Sequence, residues 1–406
     1  LNKHTLYITF DGLSDPLGQS QILPYLRGIA ARGFDITVLS CEKKDKLEKE
    51  KENIAQLIGK LPISWKYIIY NEEGGFLSRL HYIRKIFSLA KKACREKKIE
   101  LIHCRSYLAS LIGLSFKLKY RVPFIFDMRG FWADERLDGG IWNTRHLLQK
   151  FFYNYFKSKE NQFIRKSDAI ISLTNAAVSE LGKRYTPGFI NGKTIVIPCC
   201  TNTDLFNRHF LKSSATLPGI SAEDHVIIYT GSIGTWYYTR EMIDCIFAWK
   251  NFIPGIKLLI LTKDTEELQK ILDSYPAEQK KFIVSASVTY KEVPAYLAMA
   301  KAAIFFIKPA YSKIASSPTK MAECWAMDLP IITNSGIGDN DLYFNTHKGG
   351  ILINNFTSAE YVAACHNYLE LSNKANAYRE IALNYFDTRM AIEKYTSVYK
   401  SLVRGL

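Results

Sequence analysis

No pair of the eight cysteines has CxxC spacing, so zinc binding has no support in the sequence. Scattered among apolar residues, the cysteines read as reduced core fillers of a cytosolic protein. No apolar run approaches the roughly 20 residues that a membrane-spanning helix needs. The longest apolar stretches, such as Leu108–Phe116, are the size of a strand or a short helix. No secretory leader is visible, and the chain starts at Leu1 without a Met. Helix-turn-helix, RNP and zinc-finger signatures are all missing, so nucleic acid is not expected as a partner. No GxGxxG follows the first strand, which argues against ordinary dinucleotide binding. Acidic residues are outnumbered, 39 Asp and Glu against 54 Lys and Arg, for a net charge of +15. At 47% hydrophobic and 23% charged, the chain is neither disordered, collagenous nor a coiled coil. Its 406 residues exceed what one hydrophobic core fills, and two domains of about 200 residues are expected.

The excess charge lies almost wholly in the first half. Residues 1–205 hold 33 basic and 20 acidic side chains, a net of +13, and residues 206–406 have a net of +2. A field of that kind favours an anionic partner, such as a lipid surface or a phosphorylated ligand. The plainer alternative is a solvated basic surface.

Two series of strands and helices follow one another. TLYITF at 5–10 is a strand, Asp11–Gln21 a loop, Ile22–Arg32 a helix and FDITVLSC at 34–41 a second strand, which is the βαβ unit of a parallel sheet. Strands at 65–70, 101–104, 124–127, 169–173 and 194–198 continue this series. The pattern restarts with VIIYT at 226–230, IKLLIL at 256–261, 282–286, AIFFI at 303–307, LPIIT at 329–333 and 350–353. The expected fold is α/β, two Rossmann-like doubly wound domains facing a cleft. Ligands of such sheets bind at the carboxyl ends of the strands. The boundaries expected are 1–205, 206–385, and a terminal helix at 386–406 crossing back to the first domain. Helix 145–166 places apolar residues 148, 151, 152, 155 and 156 on one face. That face is expected to lie in the core. A membrane-surface helix has the same pattern.

Two segments carry candidate chemistry. Gly18, in the first βα loop, lets a backbone approach a ligand closely, and helix N-terminal amides suit a phosphate. A plain βα loop fits the same residues. The stretch KPAYSKIASSPTKMAECWAMD at 308–328 follows a strand and starts a helix near Thr319. Ser316, Ser317, Pro318 and Thr319 supply hydroxyls and a helix start, while Lys308, Lys313 and Lys320 supply positive charge. The combination suits a diphosphate. Glu323, one turn further, can accept both hydroxyls of a ribose. An intrahelical Lys320–Glu323 pair worth little would leave the same pattern. Asp339–Asn340–Asp341 matches the DxD metal motif, but with 17 Asp in the chain chance alone yields ~0.7 such triplets. No metal is expected.

These segments resemble retaining GT-B glycosyltransferases of family 4. The resemblance rests on PLGQSQILPYLRGIAARGFDITVLS, SDAIISLTNAAVSEL with IVIPCCTNTDLF, YTGSIGTWY, and SSPTKMAECWAMDLPIITNSGIGD. It implies an N-terminal acceptor domain, a C-terminal donor domain, and a nucleotide-sugar co-substrate with UDP or GDP unresolved. The acceptor would be a glycan or a lipid-linked glycan, and the setting cell-surface polysaccharide synthesis, on the cytoplasmic side and peripheral to the membrane. Glu323 matches the second of two family glutamates and would hold the ribose, whereas the first falls on Ala315. Lys313 or Ser316 is a substitute for it. Ser317, Pro318 and Thr319 match the phosphate-contacting turn, and Gly231 and Ser232 follow the donor domain's first strand. The Arg and Lys that flank the diphosphate in the family fall on Ser232 and Tyr237. Lys320, Arg240 and Lys308 are the replacement candidates, with Lys320 best placed. In FDMRGFWADER, Arg129 stands where the family often has a His. Arg129 would stabilise phosphate, and Asp127 and Asp134 are the carboxylates for acceptor hydroxyls. Asp127 capping its strand and pairing with Arg129 is the structural alternative. His103 is a weaker acceptor candidate, expected to be structural. Two other functions keep the same residues: a nucleotide-sugar epimerase, and a non-catalytic nucleotide-sugar-binding or glycan-binding protein.

Overall fold

The structure is a computed structural model that describes residues 3–71, 76–210, 216–372 and 377–403. The chain divides into two compact units. The first comprises residues 1–198 together with 388–406, and the second residues 199–387.

In the first unit, runs rich in β-branched and aromatic residues form seven parallel strands. They are β1 (Lys3–Ile8), β2 (Phe34–Glu42), β3 (Ile63–Ile69), β4 (Leu101–Arg105), β5 (Phe124–Asp127), β6 (Ala169–Ser172) and β7 (Thr194–Val196). The sheet order is β3-β2-β1-β4-β5-β6-β7. Strands β4, β5 and β6 are buried at every position, as parallel strands covered on both faces must be. The strand order reverses between β1 and β4, and the crevice of a doubly wound sheet opens at such a reversal.

The second unit repeats the design with β8 (His225–Thr230), β9 (Ile256–Leu261), β10 (Ile283–Ala286), β11 (Ala302–Ile304), β12 (Ile331–Asn334) and β13 (Gly350–Ile353). Its order is β10-β9-β8-β11-β12-β13, all parallel. The reversal falls between β8 and β11. Trp249, Trp325, Tyr229, Phe306 and Tyr368 are among the large side chains of its core. Both units are doubly wound α/β folds, as the alternating pattern requires. No disulfide joins any of the eight cysteines, and seven of them are buried.

The last helix, Thr388–Leu402, belongs to the first unit. It buries Ala391, Ile392, Tyr395, Thr396, Val398 and Tyr399 and packs on the helix Leu23–Ala30. A Cβ at Gly28 would lie 2.3 Å from Cδ1 of Ile392, so the close approach of the two helices needs a glycine there.

Two sequence expectations change. The stretch 11–21 is not all loop, because Pro16–Gln21 is helical with Pro16 in its first turn, where proline's missing N–H costs nothing. The helix Leu147–Lys166 buries Glu160, Phe163 and Ile164, but the face expected in the core is exposed at Leu148, Phe151 and Tyr155. The core side of this helix is set by its second half. Its first half extends beyond what the sheet can cover.

Candidate functional site

In the second unit, the strand-order reversal sets two segments side by side. One follows β8 and begins with Gly231. The other follows β11 and leads through a short 3-10 turn, Tyr311–Ala315, into the helix Thr319–Ala326. Thr319 and Lys320 stand in the first turn of that helix, where backbone N–H groups have no intrahelical acceptor. Lys320 is buried. Its ammonium lies 3.7 Å from the ring centroid of Tyr237 and 4.3 Å from that of Tyr229, and it donates to the Tyr229 hydroxyl at 3.3 Å. Gly231, with φ of +136°, gives it room, since a Cβ there would sit 2.6 Å from Nζ. The ammonium therefore occupies the recess between the Gly231 turn and the Tyr237 ring. Burial brings the Lys320 pKa down to about 7, opposed by Cys324 and Glu323.

Glu323 is buried beside it. Desolvation pushes its carboxyl up to about 7, against the Tyr290 hydroxyl that it faces and the charge of Lys320. The two side chains form no ion pair within 4 Å among the described residues. The helical pair considered from spacing alone is thus not what holds them. Lys313, also buried, rests its ammonium 3.6 Å from the centroid of Trp236. Ala315, where the first family glutamate would fall, is buried. Ser317 Oγ accepts the Cys199 N–H at 3.1 Å, and Ser316 is half-buried. Ser232 is exposed and its carbonyl accepts the Tyr229 hydroxyl. Of the other candidate cations, Lys308 is exposed, and Arg240 is exposed and donates to Ser274 Oγ at 2.6 Å. The bond to Ser274 commits Arg240 elsewhere. Asp341 accepts the Gly336 N–H at 2.9 Å, so that member of the DxD triplet serves a turn.

In the first unit, a buried polar network fills the carboxyl edge of β1, β4 and β5. Arg105 Nε donates to Asp11 Oδ2 at 3.0 Å, joining the ends of β1 and β4 across the reversal. His103 Nε2 lies 3.4 Å from Asp127 Oδ2, and its Nδ1 lies 2.8 Å from the Tyr399 hydroxyl. Tyr395 donates to the same Asp127 oxygen at 3.2 Å. Arg129 Nη1 stands 4.0 Å from Asp127 Oδ1. Desolvation lifts the Asp127 carboxyl, but Arg129, His103 and Arg105 outweigh it and hold it below its ordinary value. Burial lowers the His103 pKa despite the hydrogen bond and charge of Asp127, which favours the neutral imidazole. Ser106 and Arg129 take left-handed φ values of +68° and +54°, strain of the kind that concentrates at functional sites.

Two first-unit assignments change with this geometry, those of Asp134 and Gly18, while His103 keeps the structural place expected of it. Asp134 is buried, with its oxygens taken by Tyr153 at 2.9 Å and Lys157 at 2.8 Å, so it ties two helices together instead of facing an acceptor. His103 is enclosed by Tyr7, Tyr395, Tyr399 and Asp127, a structural place. Gly18 does not open a path to a ligand, because a Cβ there would fall 2.0 Å from the Gly12 carbonyl oxygen. The loop's own backbone fills that space. Glu42 fixes the loop further, accepting the N–H groups of Leu13 and Ser14 at 2.8 and 3.0 Å.

The model of Glycosyltransferase Family 4 matches residues 21–205. This stretch, a little under half of the chain, is similar to the domain that the family model describes. No curated protein matches the sequence significantly. Among solved structures, HepE of Anabaena in complex with UDP and glucose is similar over 98% of this chain and 100% of its own, at 14% identity and a TM-score of 0.68. The catalytic domain of starch synthase IV from Arabidopsis thaliana, bound to ADP and acarbose, is similar over 100% of both chains, at 11% identity and a TM-score of 0.69. The UDP-GlcNAc 2-epimerase of Neisseria meningitidis, bound to UDP-GlcNAc, covers 99% of this chain and 100% of its own, at 12% identity and a TM-score of 0.57. These likenesses establish the GT-B fold.

Sequence reading missed the partners that give the candidates their character. Tyr229 and Tyr237 bracket the Gly231 turn, and aromatic residues on both sides of a glycine turn are a readable cue for a cation recess. Arg105 ends β4 two residues after His103, on the same face of its strand. Tyr395 and Tyr399 stand four apart in the last helix, hence on one face. Nothing in the spacing said that this face would meet His103 and Asp127.

Proposed function

We propose that this protein is a retaining glycosyltransferase. It would transfer a sugar from a nucleoside diphosphate donor, UDP or GDP, to a hydroxyl of a glycan or lipid-linked acceptor in cell-surface polysaccharide synthesis. The second unit is the donor domain in this reading and the first the acceptor domain. The family 4 match and the GT-B fold support transfer. The observation that carries the donor assignment is the buried ammonium of Lys320 beside Gly231, with Glu323 one turn away.

The chemistry follows from charge. A departing nucleoside diphosphate accumulates negative charge on its phosphate oxygens, and a fixed cation in a desolvated recess stabilises it more than water does. Lys320, with a pKa near 7 when alone, is drawn to the charged form as the diphosphate arrives. The amides at the start of Thr319–Ala326, with the Ser316, Ser317 and Thr319 hydroxyls, complete the phosphate site. The Glu323 carboxylate accepts the ribose hydroxyls. Arg129 serves the reaction as a second fixed cation. Asp127, too deeply enclosed to meet an acceptor, holds Arg129 and His103 in place. The sugar hydroxyls that the missing first glutamate would bind fall to Lys313 or Ser316. All cations of this scheme are side chains, so EDTA should leave turnover intact. Loss of activity in EDTA, restored by magnesium or manganese, contradicts it.

A thermal-shift series with UDP, GDP and ADP tests the donor assignment, because a ligand that binds only the folded state raises its midpoint. If none of them shifts the midpoint, the assignment fails. The product's anomeric configuration, read by NMR, tests retention. The epimerase fold match keeps one rival in view. An epimerase converts the sugar of a donor supplied alone, whereas a transferase needs an acceptor, and a binding protein turns over neither.

A further inference from the structure

The helix Leu147–Lys166 carries a stripe of large apolar side chains directed away from its own core. Leu147 is 86% exposed, Leu148 66%, Phe151 60% and Tyr155 39%, and Ile141 in the preceding loop is 63% exposed. Residues 147, 151 and 155 follow one another at four-residue spacing, with 148 alongside, so all four lie within about 100° of arc. Phe163 and Ile164, the buried apolar residues of the helix, lie outside that arc. The aromatic rings form a ladder: Phe151 stacks near Tyr155 at 6.5 Å, and Tyr155 meets Phe156 at 5.2 Å. A patch of this kind on an isolated molecule marks an interaction surface.

The surrounding charge selects the partner. Arg145, Lys150, Lys159, Arg165 and Lys166 flank the stripe or continue it. Between residues 139 and 166 the single acidic side chain is Glu160. It is buried on the core side, bonded to Lys157 and Tyr107. An apolar stripe of Leu, Phe and Tyr on a helix whose exposed charges are all cationic fits the interface of an anionic bilayer, with the rings among acyl chains and the ammonium groups at the headgroups. In a parallel sheet, a helix that precedes a strand starts at the carboxyl edge. The stripe therefore stands at the edge of the first unit that also holds Arg105, Asp127 and Arg129. We propose that Ile141, Leu147, Leu148, Phe151 and Tyr155 insert into the headgroup region of an anionic membrane and dock the first unit there. This surface is independent of the donor assignment.

The test is co-flotation of the full chain with vesicles of phosphatidylcholine alone, or with about one-third phosphatidylglycerol. The wild type should float with the anionic vesicles and not with the neutral ones. The double substitution Leu148→Ser with Phe151→Ser removes exposed apolar surface and should not disturb folding. It should weaken vesicle binding at least tenfold, and so should Lys150→Glu with Lys159→Glu. Raising salt from 0.05 to 0.5 M should release the wild type, because the screening length shrinks from about 14 Å to about 4 Å. Nucleoside diphosphate thermal shifts should be the same in all variants, so failure here is distinct from failure of the donor site. Absence of flotation at low salt overturns the proposal. So does full binding by the variant carrying both serine substitutions, which would leave a purely electrostatic attachment. A dimer in solution that the serine substitutions convert to monomer, without vesicle binding, assigns the stripe to a second copy and also overturns it.

Discussion

Lys320 and Glu323 stand three residues apart on one helix, and each is held near its titration midpoint by burial. Neither would matter at neutral pH if exposed, because a lysine and a glutamate in water titrate near about 10.4 and 4.3. A diphosphate needs the lysine protonated, and ribose hydroxyls need the glutamate ionised. Nucleotide affinity should therefore be bell-shaped with its maximum near pH 7, falling up to about tenfold per pH unit on either side. Lys320→Arg should keep the cation and flatten the alkaline limb, since a guanidinium does not lose its proton. Titration calorimetry from pH 5.5 to 9 measures both curves, and a flat wild-type profile would contradict the assignment. Glu323→Gln should cost about 1.5–3 kcal/mol of binding, the range for hydrogen bonds to a charged group, in a protein that still melts cooperatively. Unchanged affinity in the folded variant removes Glu323 from the site. The lysine and the glutamate were legible from helix position and composition. Their pKa values were not, because these depend on Tyr229, Tyr237 and Tyr290, which long chain connections bring to the spot.

Between elements, glycines decide how closely segments approach. The sequence suggests ligand access at Gly18 and gives no cue at Gly28, yet both are packing positions. At Gly18 an added Cβ meets backbone, 2.0 Å from the Gly12 oxygen. At Gly28 it meets only side chain, Cδ1 of Ile392 at 2.3 Å and both of its γ carbons at 2.7 Å, and a side chain yields more easily than backbone. Gly18→Ala should therefore be the worse substitution, at about 3 kcal/mol or more, against about 1–2 kcal/mol for Gly28→Ala, within the range for overpacking. Ile392→Val should recover part of the second loss and none of the first. Urea unfolding of the wild type, the three single variants and the two double variants checks this order, and equal losses at the two glycines would show that the loop of residues 12–18 is free to yield. Strands and their parallel connections could be read directly, because buried strands are continuous apolar runs. The Leu147–Lys166 helix shows why helix faces were harder. Its apolar residues spread around much of the circumference, and only the packed sheet shows which of them are covered.

At the scale of the whole chain, the first unit is assembled from both ends of the sequence. Its final helix contributes Ile392, Tyr395, Val398 and Tyr399 to the core. At about 1.5–3 kcal/mol for each large buried side chain, these amount to roughly 6–12 kcal/mol, comparable to the entire stability of a typical domain at about 5–15 kcal/mol. A chain ending at Asp387 should retain a cooperative unfolding transition for the second unit and lose that of the first. Two transitions surviving in the calorimeter would contradict that. The discontinuity also fixes an order of events at the ribosome. Residues 1–198 emerge first but lack the helix that packs on Tyr25 and Gly28. At about 5–20 residues per second, some 200 further residues take roughly 10–40 seconds to follow. The second unit, contiguous in sequence, can finish while the earlier-made half still waits with an apolar groove open. The helix Thr388–Leu402 thus acts as a checkpoint on translation: a ribosome that stops before it releases a chain whose first unit cannot close.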